Sequence, residues 1–242
     1  MTKLQTTEKG FTLVELAIVL VIVGLLIAGI LKGQEMIVNS QITSTISQLE
    51  AMGGAVNTFK QQYGAYPGDM ANASTRLINC AANPCNNGNG DGTIAVKVGT
   101  ANTDANESGY FFNHLRTAEL ITGGFDGTTG STFGTTLPTA SIGGGYMVGD
   151  TRTGVTNFTA TEMRQGPWLV LSGAVADAAA GTGAVTPAQA ARIDRTLDDG
   201  TPSSGAVIGL DVDAACRAKK GDIVYDESAP DQTCVIAYRL PR

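Results

Sequence analysis

Hydrophobic and polar positions divide the N-terminal part of the chain into two stretches. From Phe11 to Leu31 every residue is apolar or uncharged except Glu15. As an α-helix this run is about 31 Å long, enough to cross a bilayer core of roughly 30 Å. Beyond it, Val38, Ile42, Ile46, Leu49, Gly53, Val56, Phe59 and Tyr63 recur every three or four residues, with Asn39, Gln41, Ser44, Gln48 and Glu50 between them. That spacing predicts that the same helix continues over residues 32–63 with one apolar stripe, and that Gly64 and Pro67 stop it. The stripe is expected to pack on a sheet.

Later segments alternate in type. Residues 66–106 are rich in Gly, Asn and Asp and read as a connecting region. Phe111, Phe112, Leu115, Ala118 and Ile121 place an apolar face on a short helix, Ser108 to Ile121, closed by Gly123 and Gly124. Four runs read as strands because they are β-branched or aromatic and bounded by Gly, Pro or Asp: Tyr146–Val148, Trp168–Ser172, Ala206–Leu210 and Cys234–Tyr238. Between them Thr186, Pro187 and Gln189 form a capping box, Ile193 and Leu197 follow one turn apart, and Asp198-Asp199-Gly200 ends the helix. The pattern is α+β: a long N-terminal helix packed on an antiparallel sheet, with about 180 residues beyond the helix for one core.

The isolated acid changes this picture most. A charge near the bilayer centre costs about 2.5 to 3.5 kcal/mol on the gentlest scale, so Glu15 needs a compensating partner. Lys3 and Lys9 precede the apolar run, and Lys32 with Glu35 follows it; the more basic flank, residues 1–10, is expected to stay in the cytoplasm. A cleaved secretory signal would have a shorter apolar region of about 7 to 15 residues. Gly24 and Gly29 fit either close helix packing or the glycines that spanning helices ordinarily tolerate.

Charge and residue usage narrow the chemistry further. The 242 residues carry a formal net charge of −6, which argues against a general phosphate-binding surface. Arg217, Lys219 and Lys220 form a local basic strip, read either as a solvated turn or as a nucleic-acid contact. Four cysteines permit three pairings, and their spacing favours Cys80 with Cys85 and Cys216 with Cys234. An exported domain keeps such bonds, and neither separation supplies the short knuckles of a zinc site. The run Asn86–Gly92 is similar to a calcium loop, with Asn87, Asn89 and Asp91 offering oxygens, and Asp69, Asp104 and Glu107 are available to complete it from outside. Its first position is a neutral Asn, however, and Val98 stands where the bidentate acid belongs, so a bare turn is expected and no metal or cofactor is assigned. His114, the only histidine, has no second histidine or positioned nucleophile beside it and is expected at the surface or at a cap. No nucleophile elbow, P-loop or His-Glu-x-x-His is present, and Asp198 and Asp199 are neighbours in a turn, so an enzyme is not expected.

The residues Lys9-Gly-Phe-Thr-Leu-Val-Glu-Leu16 resemble the cleavage and methylation signature of type IV prepilins and of type II secretion pseudopilins. The resemblance implies that an inner-membrane peptidase cuts between Gly10 and Phe11 and methylates the new amine of Phe11. Weaker likenesses to exported pilin-like proteins run through Tyr66–Asp69, Asn86–Gly92, Glu107–Ile121 and Ala190–Val207. On this reading residues 1–10 are a cytoplasmic leader, 11–31 a transmembrane and assembly helix, 32–63 its amphipathic continuation and 64–242 an exported head. Glu15 of one subunit then pairs with the Phe11 amine of its neighbour, neutralising both in a low dielectric, while sheets form the outer shell of a homo-oligomeric filament. The implied partners are the peptidase/methyltransferase and an inner-membrane assembly platform. The implied location is the inner membrane, then the periplasm and an extracellular pilus. Two alternatives are a secretion pseudopilin and a singly anchored periplasmic binding domain.

Overall fold

The computed structural model describes residues 10, 12–78, 80, 85–103, 106–122 and 131–241. Helix α1 spans Leu13–Tyr63, followed by α2 (Ala73–Arg76), α3 (Glu107–Thr117), β1 (Gly145–Asp150), β2 (Pro167–Ser172), α4 (Pro187–Leu197), β3 (Val207–Gly209) and β4 (Ile236–Arg239). Two compact units share the chain, Met1–Gln41 and Ile42–Arg242. In the first, the described residues from Leu13 onward are helical and make no buried core. The large apolar side chains from Leu13 to Leu31 are between 44% (Val23) and 84% (Leu13) exposed.

The second unit holds the core. Its stretch of α1 buries Ile42, Thr45, Leu49, Met52, Gly53, Ala55, Val56 and Phe59, the three-and-four spacing of one helical stripe. Burying Leu49, Val56 or Phe59 stabilises by about 1.5–3 kcal/mol each. A methyl group at Gly53 would touch the Tyr238 ring at 3.6 Å, so the helix passes close over β4 there. The polar side of the stretch is not simply solvated: Gln48 Oε1 accepts from Ser141 N and from the Tyr146 hydroxyl of β1, both at 3.0 Å. Ser44 and Ser141 join their hydroxyls at 2.7 Å.

The sheet is antiparallel throughout, in the order β1-β2-β4-β3. Every residue of β1 and β2 is buried, because both faces are covered; strands covered on both sides lose the alternation of a half-wet sheet. Trp168 of β2 pairs with Gly149 of β1 on one side and Arg239 of β4 on the other. The four expected strands are all present: β1 extends past both expected ends, β2 starts earlier, β3 is trimmed at both ends, and β4 starts and ends later. Helix α4 starts as expected, with Thr186 and Gln189 exchanging both capping-box bonds and Pro187 in the first turn.

Helix α3 begins and ends differently from expectation. Asn106 caps its start through Ser108 N, and it stops at Thr117. Glu119 adopts a left-handed backbone (φ 59°), its N–H reaching Arg116 O at 2.9 Å and that of Leu120 reaching Leu115 O at 3.0 Å. This is the two-bond Schellman closure, completed before Gly123 and Gly124, which lie outside the described residues. The short α2, inside the segment read as a connector, has only one turn. Both expected disulfides are formed, Cys80–Cys85 and Cys216–Cys234.

Candidate functional site

The start of α1 is built by its own sequence. Thr12 precedes the first helical residue and Glu15 stands three positions on, the Thr-x-x-Glu pattern of a capping box. The Glu15 N–H donates to Thr12 Oγ1 at 3.2 Å. Glu15 Oε2 accepts from Thr12 N at 2.8 Å and from the Thr12 hydroxyl at 2.8 Å. The carboxylate therefore satisfies the Thr12 N–H, and the Thr12 hydroxyl the Glu15 N–H, two groups that have no partner within the helix; the negative charge lies at the positive end of the dipole. Sequence reasoning assigned Glu15 to a neighbouring subunit and missed Thr12, although the Thr-x-x-Glu signal was there to find. The two uses are compatible, since a carboxylate holding Thr12 through one oxygen keeps Oε1 for another donor. Gly10 is exposed; Phe11, the other residue of the expected cleavage and pairing, lies outside the described residues, as does the expected leader over residues 1–9.

Behind this box the helix contains a window of mean hydropathy 3.0, long and apolar enough to cross a membrane. Lys32 and Glu35 close it with an exposed ion pair at 2.7 Å, worth little by itself. Among the described residues, Gly24, Gly29 and Gly33 have nothing beyond the backbone of their own helix turns within 4 Å of where a Cβ would stand. Gly29 with Gly33 has the one-turn spacing that lets another helix approach closely.

The loop that is similar to a calcium site uses its side-chain oxygens on backbone N–H groups, its own and those of adjoining segments. Asn87 Oδ1 accepts from Ser74 N at 2.8 Å, Asn89 Oδ1 from Asp91 N at 2.8 Å and Asp91 Oδ1 from Thr93 N at 2.8 Å. Asp69 and Glu107 do converge on it, but as acceptors for its backbone: Gly92 N to Asp69 Oδ2 and Asn89 N to Glu107 Oε1, each 2.9 Å, and Ala95 N to Glu107 Oε2 at 2.8 Å. A Cβ on Gly68 would meet Glu107 O at 2.3 Å, and one on Gly88 would meet Gly68 O at 2.3 Å, so these glycines admit the close approach of three segments. Burial pushes the Asp69 carboxyl up to about 6, with the charges of Glu107 and Asp91 adding to it. Asp104 lies outside the described residues.

Two sequence expectations are overturned here. His114 is fully buried rather than at the surface: its Nδ1 accepts from Gly68 N at 2.9 Å, which leaves Nε2 to donate to Asn86 O at 2.9 Å. The ring is a strut between the two glycine-rich turns, and burial pulls its pKa down to about 4. Arg217 is likewise fully buried, forked onto Glu162 at 3.1 and 2.8 Å and reaching Asp211 at 3.2 Å. It therefore leaves the basic strip, and Lys219 and Lys220 alone are exposed there. Asp199 accepts from Thr201 N at 2.8 Å and Ser204 Oγ at 2.6 Å, while Asp198 accepts from Ala206 N, so both acids shape the turn after α4.

Residues 6–31 match the model of the prokaryotic N-terminal methylation motif. The chain is 37% identical over 71 residues to a protein described as "Fimbrial protein" from Neisseria meningitidis serogroup B (strain ATCC BAA-335 / MC58), covering 29% of this chain and 42% of that relative. It is also 37% identical over 71 residues to "Fimbrial protein EcpC" from Eikenella corrodens, covering 29% and 46%. The chain thus spans less than half the length of the curated relatives it matches. No solved structure matches it significantly.

Proposed function

We propose that this chain, which carries the N-terminal methylation motif, is a pilin: the structural subunit of a type IV pilus-like filament. Residues 1–10 are the leader, cut off between Gly10 and Phe11, and Phe11 is then N-methylated by the prepilin peptidase. Residues 11–31 anchor the subunit in the inner membrane and later bury themselves against the same stretch of neighbouring copies at the assembly platform. Residues 32–63 continue the helix and 64–242 form the exported head. The observation that carries this reading is the uncovered apolar surface of Leu13–Leu31, interrupted by Glu15 alone, directly behind a methylation motif. Such a surface requires lipid or another apolar surface to cover it, and a lone acid within it favours the arrangement that supplies a cation.

Assembly supplies both. The Phe11 amine of a neighbour reaches Glu15 Oε1 while Thr12 holds Oε2, so the carboxylate is satisfied in a water-poor interior. The fimbrial descriptions of the two relatives support the same conclusion.

Mass spectrometry of the native N-terminus is the direct test. A chain that starts with N-methylated Phe11 and appears in the sheared-fibre fraction is the expected result; a native chain that retains residues 1–10 and never enters fibres defeats the proposal. Glu15→Val should insert in the membrane normally yet enter fibres at least about tenfold less, the scale of one lost buried charge pair. Thr12→Val removes only the cap, about 1 kcal/mol of helix stability, and should retain most incorporation. Equal incorporation of Glu15→Val and the unaltered chain would remove the pairing from the mechanism. Long extracellular fibres separate a surface pilus from the short periplasmic fibre of a secretion pseudopilin.

A further inference from the structure

The last turn of α1 and the loop after β1 bring two cations to one aromatic ring. Lys60 Nζ donates to the Tyr66 hydroxyl at 3.1 Å and lies 4.4 Å from the ring centroid. Arg152 Cζ lies 5.9 Å from the same centroid. Together with Gln165 and Gly166 these three residues line a cavity of about 380 Å³, within the roughly 300–1,000 Å³ span of small-molecule sites.

Each cation has a different local explanation. Arg152 balances the fully buried Asp150, donating through Nε at 3.0 Å and through Nη2, which leaves Nη1 without a partner among the described residues. Asp91 acts on Arg152 only through space, with no ion pair between them. Lys60 has no carboxylate within ion-pair distance among the described residues. Its one side-chain bond is to a phenol, which accepts from Lys60 and so keeps its own proton to donate. The recess thus holds an ammonium, half of a guanidinium fork and a hydroxyl with unused donors, on a chain whose net charge is −6.

We propose that this cavity binds a small ligand through one oxyanion group, a phosphate or a carboxylate carried on a sugar-sized body. Lys60 and Arg152 Nη1 supply charge-assisted donors and Tyr66 a neutral one; the remaining volume takes the body of the ligand. This site is independent of the filament reading, which rests on the first 31 residues.

Calorimetric titration of the full chain, in a non-ionic, phosphate-free detergent, tests it with glucose 6-phosphate, glucuronate and inorganic phosphate as probes. Saturable binding of one of the two sugar-sized probes, tighter than inorganic phosphate, is expected, and which one binds identifies the oxyanion. Lys60→Gln, which leaves no buried acid unpaired, should weaken that binding about tenfold with an unchanged unfolding midpoint. Absence of saturable binding up to about 10 mM, equal binding of inorganic phosphate, or full affinity in Lys60→Gln would each overturn the proposal.

Discussion

At the residue scale His114 determines how the glycine-rich turns respond to acid. Burial pulls its pKa to about 4, below the unfolded value near 6.5, so the unfolded chain binds the proton more readily. Its contribution to stability is complete above pH 6.5 and is lost as pH falls through 4. Asp69 and Asp194, pushed up by burial to about 6 and about 7, act in the opposite direction. Their charged forms are unfavourable in the folded state, and that penalty disappears as they take protons below those values. The whole-chain acid profile is therefore a partial cancellation, and His114→Gln isolates one side of it. Measured by urea unfolding at a series of pH values, the stability gap between the native protein and His114→Gln should narrow by on the order of 3 kcal/mol from pH 7 to pH 4. A gap constant with pH would mean that His114 is not held neutral. None of this was legible beforehand: a lone histidine in ESGYFFNHLRT carries no sign that Gly68 and Asn86, distant in sequence, will bracket its ring.

Elements were read most securely where their boundaries are chemical and local. Thr186, Pro187 and Gln189 announce the start of α4, and the structure places both capping bonds there. The same Thr-x-x-Glu logic applies at Thr12 and Glu15, where the acid caps its own helix as well as interrupting the apolar run. The end of α3 shows the converse. Gly123 and Gly124 are the strongest stop signal in that stretch, yet the helix closes at Glu119, because Leu115 and Leu120 meet the requirements of the closure before the glycines are reached. A non-glycine side chain in the left-handed region costs about 1 kcal/mol. Glu119→Gly should therefore raise stability by about 0.5–1 kcal/mol, lifting the thermal midpoint by a few degrees. A lowered midpoint would show that the Glu119 side chain contributes more than its strained backbone removes. The sheet ends were the least legible, since Ala206, Leu210 and Cys234 are as apolar as the strands they flank and pattern alone does not say where pairing stops.

At the scale of the whole molecule, covalent links and buried charge hold long loops to the sheet. The Cys216–Cys234 bond closes the longer loop, with both cysteines fully buried, and Arg217 beside it ties residues 162, 202, 209 and 211 together. Removing that bond with Cys216→Ala and Cys234→Ala should lower unfolding stability by about 3 kcal/mol, and removing Cys80–Cys85 by less, because constraint of the unfolded chain grows with loop length. Urea unfolding of the two double variants compares them directly; an equal or larger loss from the shorter loop would show that local strain or packing outweighs chain entropy.

The order of amino acids by itself determined the apolar helix, its lone acid, the stripe that continues past residue 31, the cysteine pairing and the α+β class. Those follow from periodicity, burial of apolar surface and short-range spacing, which the chain carries locally. Tertiary structure alone decided the sheet order β1-β2-β4-β3, the burial of His114 and Arg217, the use of Asp69 and Glu107 on backbone amides, and the meeting of Lys60 with Arg152. Each of those joins residues far apart in sequence, where solvent exclusion and hydrogen-bond satisfaction, rather than local propensity, select the partner.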